Sequence, residues 1–178
     1  MSEKSGRSLF ESTVLPHLDA AYNLARWILR NDNDARDVAQ ESAMRAWRYF
    51  HTLRGEETLP WLLRIVRNTA FTWLDRRQRD DAEPLGEDAM LPDNSTPDPV
   101  AALSADIDAE MLRKAVESLP PEFREVIVLR ELEGMSYKEI AAAADISIGT
   151  VMSRISRARK RLQIALAPHA PQESDHGM

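Results

Sequence analysis

The chain has 178 residues, 43 % of them hydrophobic, with six glycines, no cysteine and a net charge of −6. That is enough apolar material for one or two small cores, and the missing thiols exclude disulfide frameworks and thiolate metal sites. No apolar run reaches the roughly 18 residues of a membrane span, and the opening MSEKSGRS lacks the apolar stretch of a signal peptide. A cytoplasmic protein without membrane insertion is expected.

Few glycines and many Leu, Ala, Ile and Met favour helix. Ser8 to Asn31 is apolar at helical spacing, with Pro16 starting a second segment after a short first one. NDND then reads as a turn, with Asn33 as N-cap of a helix running to about Tyr49. HTLRGEE reads as a loop; Thr58 caps the next helix, which carries Pro60 in its first turn and runs to about Arg77.

The middle of the chain is different. Residues 80–112 hold ten acids and no base, whereas the segments on either side are mildly basic. DDAEPLGEDAMLPDNSTPDPVAAL has four prolines and no period, so it reads as a flexible acidic linker. The overall pI is therefore a poor guide to partners.

Beyond the linker, Ala105 to Ser118 reads as a helix broken by LPP, and Pro121 opens a second that ends near Gly134. Ser136 with Glu139 three residues on forms a capping box for a third helix. After the tight turn DIS a fourth helix runs from about Ile148 to Leu166, and PHAPQESDHGM reads as a disordered tail. The expected architecture is all-α: a helical domain at 1–79, a linker at 80–104, a second helical domain at 105–167, and a tail at 168–178.

The last two helices form a helix-turn-helix pattern, whose second helix enters a DNA major groove. Five of the eight residues from Arg154 to Arg161 are Arg or Lys. At about 100° per residue, Ile155, Ala158 and Leu162 fall within roughly 40° of Val151, a narrow core stripe. Ser153, Arg157 and Lys160 lie opposite, Thr150 near them, and Arg154 and Arg161 on the flank. Such a face suits duplex DNA, since Arg reads guanine edges and Lys and Arg neutralise phosphates.

LPPEFREVIVLRELEGMSYKEIAAAADISIGTVMSRISRARKRL resembles region 4 of bacterial sigma-70-type sigma factors. DARDVAQESAMRAW resembles regions 2.1–2.2, and LPWLLRIVRNTAFTWLDRRQR resembles regions 2.3–2.4. Together they look like the small extracytoplasmic-function (ECF) group, which keeps only regions 2 and 4. Three positions depart from the usual pattern: Asp145 stands where Gly is common, Arg36 for Glu, and Thr72 for Asp. Asp tolerates a left-handed turn better than most residues.

The resemblance implies a dissociable RNA polymerase subunit. The helix-turn-helix face of Thr150, Ser153, Arg154, Arg157, Lys160 and Arg161 would read the −35 promoter element as duplex. Asp37, Gln40 and Glu41 would grip the β′ clamp helices of the core enzyme, with Met44 in the same stripe, and the β flap is a further expected contact. Acids on that stripe complement a basic partner helix. Arg64, Arg67, Asn68, Arg76, Arg77 and Arg79 would line the path of the melted −10 strand, with Asn68 near bases and Arg76 to Arg79 on backbone. Of the nearby aromatics Trp47, Tyr49, Phe50, Trp61, Phe71 and Trp73, most are expected in the core, Trp61 especially. An anti-sigma factor is a usual partner in the family.

No phosphate-binding glycine loop, metal-ligand cluster or catalytic constellation occurs, so no cofactor, metal or enzymatic activity is expected. Strand opening would then be driven by binding unstacked bases, each worth about 1–3 kcal/mol. A stand-alone helix-turn-helix regulator would account for residues 105–166 but not for the aromatic, basic N-terminal part. A linker of about 25 residues reaches at most ~80 Å, enough for two promoter elements roughly 50 Å apart. Its charge suggests that it screens the basic faces of the free protein.

Overall fold

The computed structural model describes residues 3–55, 57–82 and 103–167. Most of the expected linker and the whole expected tail lie outside them. The described residues form helices α1 (Glu3–Val14), α2 (Leu18–Leu29), α3 (Asp32–Tyr49) and α4 (Thr58–Ala82), then α5 (Leu103–Glu117), α6 (Pro121–Ile127), α7 (Tyr137–Ala144) and α8 (Ile148–Leu166).

Local chemistry accounts for most boundaries. Pro16 sits in a single 3₁₀ turn, Leu15–His17, that separates α1 from α2. Arg30 ends α2 in the left-handed conformation at φ 59°, which leaves no room for a four-residue turn. The cap of α3 is consequently Asn31, not Asn33: its side chain accepts from the Asp34 amide at 2.9 Å. Thr58 is already inside α4, and that helix continues past the expected Arg77 to Ala82.

In the C-terminal half the capping box is complete. The Ser136 hydroxyl accepts from the Glu139 amide while the Glu139 carboxylate accepts from the Ser136 amide. Asp145 adopts φ 55° and closes α7, the conformation for which a glycine would otherwise be needed. Ser147 then caps α8 by accepting from the Thr150 amide. The helix opened by Pro121 widens into a π segment, Val128–Leu132, before Gly134 turns the chain at φ 65°.

Helices α2, α3 and α4 pack on one another, with α1 against α4, and α5, α6 and α7 gather around α8. The two groups do not stand apart. α7 lies along α4 and α6 against α2, and one apolar cluster runs from Leu24, Ile28, Leu62 and Val66 through Leu129 and Ile140 to Val151 and Ile155. Trp61 is buried in it, as expected from the sequence, and Phe50, Phe71 and Trp73 pack partly buried against it, but Trp47 and Tyr49 are about half exposed at 47 % and 49 %.

Candidate functional site

Three surfaces and one seam carry the residues that the sequence singled out. On α3, Ala35, Val38, Ser42 and Ala46 face the core, and the helical period places Asp37, Gln40, Glu41 and Met44 on the outer side. All four line one shallow groove of about 700 Å³. Met44 is 58 % exposed there, an apolar side chain without cover. Glu41 is tied to Arg45 one turn on, so Asp37 is the acid of the groove with no ion pair among the described residues.

Along α4 the expected cationic track divides. Asn68, Arg76 and Arg79 are exposed. Arg64 is half-buried and engaged with a neighbour. Arg77 pairs with Asp34 of α3 at 2.6 Å, which fixes the end of α4 to the start of α3. Arg67 leaves the helix about 100° round from Asn68 and its guanidinium bridges Asn68 and α6. Its Nε donates to Glu125 of α6 at 2.6 Å, its guanidinium covers the Phe71 ring at 4.7 Å, and Nη1 donates to Asn68 at 3.3 Å.

On α8, Val151, Ile155 and Ala158 are buried as the apolar stripe requires. Ser153, Arg157 and Lys160 are exposed, and Arg157 and Lys160 have no ion pair among the described residues. The Ser153 hydroxyl turns back to the Thr150 carbonyl and the Thr150 hydroxyl meets that of Ser147. Arg161 lies over the Phe123 ring at 4.9 Å. Arg154 is half-buried, and its Nη1 is buried with no hydrogen-bond partner among the described residues.

The seam between the two groups is built by two neighbouring residues of α6. Arg124 is buried and donates through Nη1 to the carbonyls of Trp27 (2.7 Å) and Ile28 (3.0 Å), and through Nη2 to Leu119 (2.7 Å). Trp27 and Ile28 lie in the last turn of α2, where carbonyls have no intrahelical donor; a cation from the other module supplies it and meets the negative end of the helix dipole. Burial pushes the Arg124 guanidinium down to about 10, with Arg30 adding to the effect.

Glu125 is fully buried. Burial pushes its carboxyl up to about 7, while Arg67 and Arg154 pull it down and Glu122 raises it. Oε1 is held by Arg67, and Oε2 has no partner among the described residues. Nearby, Glu57 ahead of α4 shares a hydrogen bond with Glu139 of α7, which raises the Glu57 carboxyl. The Arg124 and Glu125 contacts were not foreseen from sequence; REV inside an amphipathic run reads as ordinary helix charge.

Residues 13–80 match the family model described as sigma-70 region 2, and residues 109–162 match that described as sigma-70, region 4. The ECF RNA polymerase sigma factor SigE of Mycolicibacterium smegmatis is 35 % identical, with 94 % of this chain and 70 % of that protein covered. The chain belongs to the ECF sigma factors of the sigma-70 family. RNA polymerase sigma-H factor of Pseudomonas aeruginosa is 34 % identical, covering 93 % of this sigma factor and 90 % of its own length.

Solved structures agree. The sigma factor RpoE of Bartonella quintana, in complex with the anti-sigma factor NepR, superposes with a TM-score of 0.72 at 30 % identity, covering 89 % of this chain and 96 % of that one. CnrH in complex with the cytosolic domain of CnrY gives 0.63 at 26 % identity, covering 91 % and 90 %. Among the described residues no helix is long and apolar enough to cross a membrane.

Proposed function

We propose that this ECF sigma factor divides promoter recognition between residues 1–79 and 105–167, joined by the acidic linker at 80–104. The α3 groove binds the β′ clamp helices through Asp37, Gln40, Glu41 and Met44, and the C-terminal module also meets the β flap. The outer face of α8 reads the −35 duplex with Ser153, Arg157 and Lys160, while Thr150, Arg154 and Arg161 at its margins contact phosphate. The melted −10 strand follows the outer face of α4 past Arg64, Asn68, Arg76 and Arg79, with Arg67 and Arg77 at its edges.

The observation that carries this reading is the segregation on α8. Val151, Ile155 and Ala158 of its apolar stripe are buried and Leu162 partly so, while Arg157 and Lys160 stand exposed on the opposite side with no ion pair among the described residues. Segregation of that kind leaves cations free to replace phosphate counterions. The protein acts in the cytoplasm, as a binding subunit and not an enzyme, and an anti-sigma factor controls it, as the relatives captured with anti-sigma partners suggest. Run-off transcription with core polymerase on a library of host genomic fragments tests the reading. Discrete transcripts that require the protein are expected; none would overturn it.

A further inference from the structure

Two large apolar side chains stand uncovered at the start of α8, a helix that carries five cations and no acid. Ile148, its first residue, is 47 % exposed, and Met152, one turn on, is 54 % exposed. Neither belongs to an apolar cluster among the described residues. Four residues apart, they are neighbours along one edge of the helix, and Met152 borders the exposed Ser153 about 100° further round. A lone exposed apolar residue is ordinary. An adjoining pair at the leading end of a DNA-facing helix calls for a reason.

The polar groups around the pair are engaged within the protein. Ser147 Oγ caps the helix and meets the Thr150 hydroxyl, and the Ser153 hydroxyl donates to the Thr150 carbonyl. Arg154 is half-buried, so the first exposed cation along α8 is Arg157. Gly149 is exposed, and a Cβ there would meet nothing nearer than Ser147 Oγ at 3.9 Å, an ordinary contact. Folding makes no steric demand for glycine at this position; its effect is bare backbone near Met152, where another surface can approach closely.

In a helix-turn-helix the N-terminal residues of the second helix contact base edges. The first turns of α8 therefore offer those edges hydrocarbon and a thioether rather than free donors. In the major groove the matching feature of a base pair is the C5-methyl group of thymine. We propose that Met152, flanked by Ile148, is a specificity-determining residue that selects thymine at one position of the −35 duplex by covering its methyl group. This rests on the sigma-factor reading and adds a base preference to it. An unbranched, polarizable side chain adapts to such a contact. Because Met152 neutralises no phosphate, it acts on the choice of sequence and not on the salt dependence of binding.

Deoxyuridine tests this, since it differs from thymidine by that methyl group alone. Holoenzyme reconstituted from core polymerase and the full-length protein selects duplexes from a library randomised across the promoter region, and each thymine of the enriched −35 element is then replaced singly by deoxyuridine. For wild type, replacement at one thymine is expected to weaken binding about fourfold, the value of one methyl group taken out of water. Met152→Ala is expected to bind the thymine and deoxyuridine duplexes equally with an unchanged salt slope, and Met152→Leu, which keeps the apolar bulk, to retain the difference. Wild-type holoenzyme that binds every deoxyuridine duplex as tightly as its parent overturns the proposal, as does a fourfold difference that survives in Met152→Ala. Loss of holoenzyme assembly in Met152→Ala, with no methyl effect in wild type, would set the pair against a protein surface and overturn it too. A library from which nothing is enriched removes the sigma-factor reading and the proposal together; an enriched element without a methyl effect removes the proposal alone.

Discussion

Arg124→Met tests how firmly the two modules are joined. The variant keeps length and apolar volume but removes the donors to Trp27, Ile28 and Leu119. Each buried carbonyl that loses its donor costs about 1–3 kcal/mol, so three cost roughly 6 kcal/mol at the midpoint. Against this, the desolvation that pushes the guanidinium well below its usual range, to about 10, is relieved when the charge is gone, returning about 3 kcal/mol. A net loss of about 3 kcal/mol is expected, a large share of the 5–15 kcal/mol typical of a folded domain. Urea unfolding followed by two probes measures it. Trp27, Trp47, Trp61 and Trp73 all lie in the first 79 residues, so fluorescence reports that module alone, whereas far-ultraviolet circular dichroism reports both. The two curves should coincide in the wild type and separate in the variant. Coincident curves with less than 1 kcal/mol lost would show that the Arg124 contacts do not join the modules.

Other surfaces give independent tests. Asp37→Arg should abolish co-purification with core polymerase while leaving the circular dichroism spectrum unchanged, because the side chain is exposed in the α3 groove; retained co-purification removes that interface. Arg157→Ala should weaken binding to the cognate −35 duplex by about 1–3 kcal/mol if it reads a base, and an equal loss on random duplex in fluorescence anisotropy would make it a phosphate contact only. Glu125 sets a pH dependence. Its folded value of about 7 lies above the ordinary 4.5, so its contribution is fully present below about pH 4.5 and is lost as pH rises through 7, on the order of 3 kcal/mol in all. Arg67, Arg154 and Glu122 are the charges that face it. Glu125→Gln should flatten that part of the stability profile between pH 5 and 8; parallel profiles for the two proteins would refute the assignment.

The sequence by itself determined what is local. The Ser136–Glu139 capping box, Pro121 at a helix start and the Val151–Ile155–Ala158 stripe of α8 all follow from local sequence, because spacings of three or four residues are converted by a helix directly into contact. The same periodicity set Asp37, Gln40, Glu41 and Met44 on one exposed face. Where two adjacent residues offered the same chemistry, as Asn31 and Asn33 did, the chain decided by closing α2 in a left-handed Arg30 with no spare turn. What only the tertiary structure decided is which charges remain free. Arg67 and Glu125 are 58 residues apart, and Arg124 reaches the α2 terminus across more than ninety. No local period encodes such pairs. Whether Glu125 is an ordinary surface acid or a buried one, and whether Arg67 is available to a strand or held by it, depends on the two modules meeting, since burial in a shared core is a property of that contact and not of either segment.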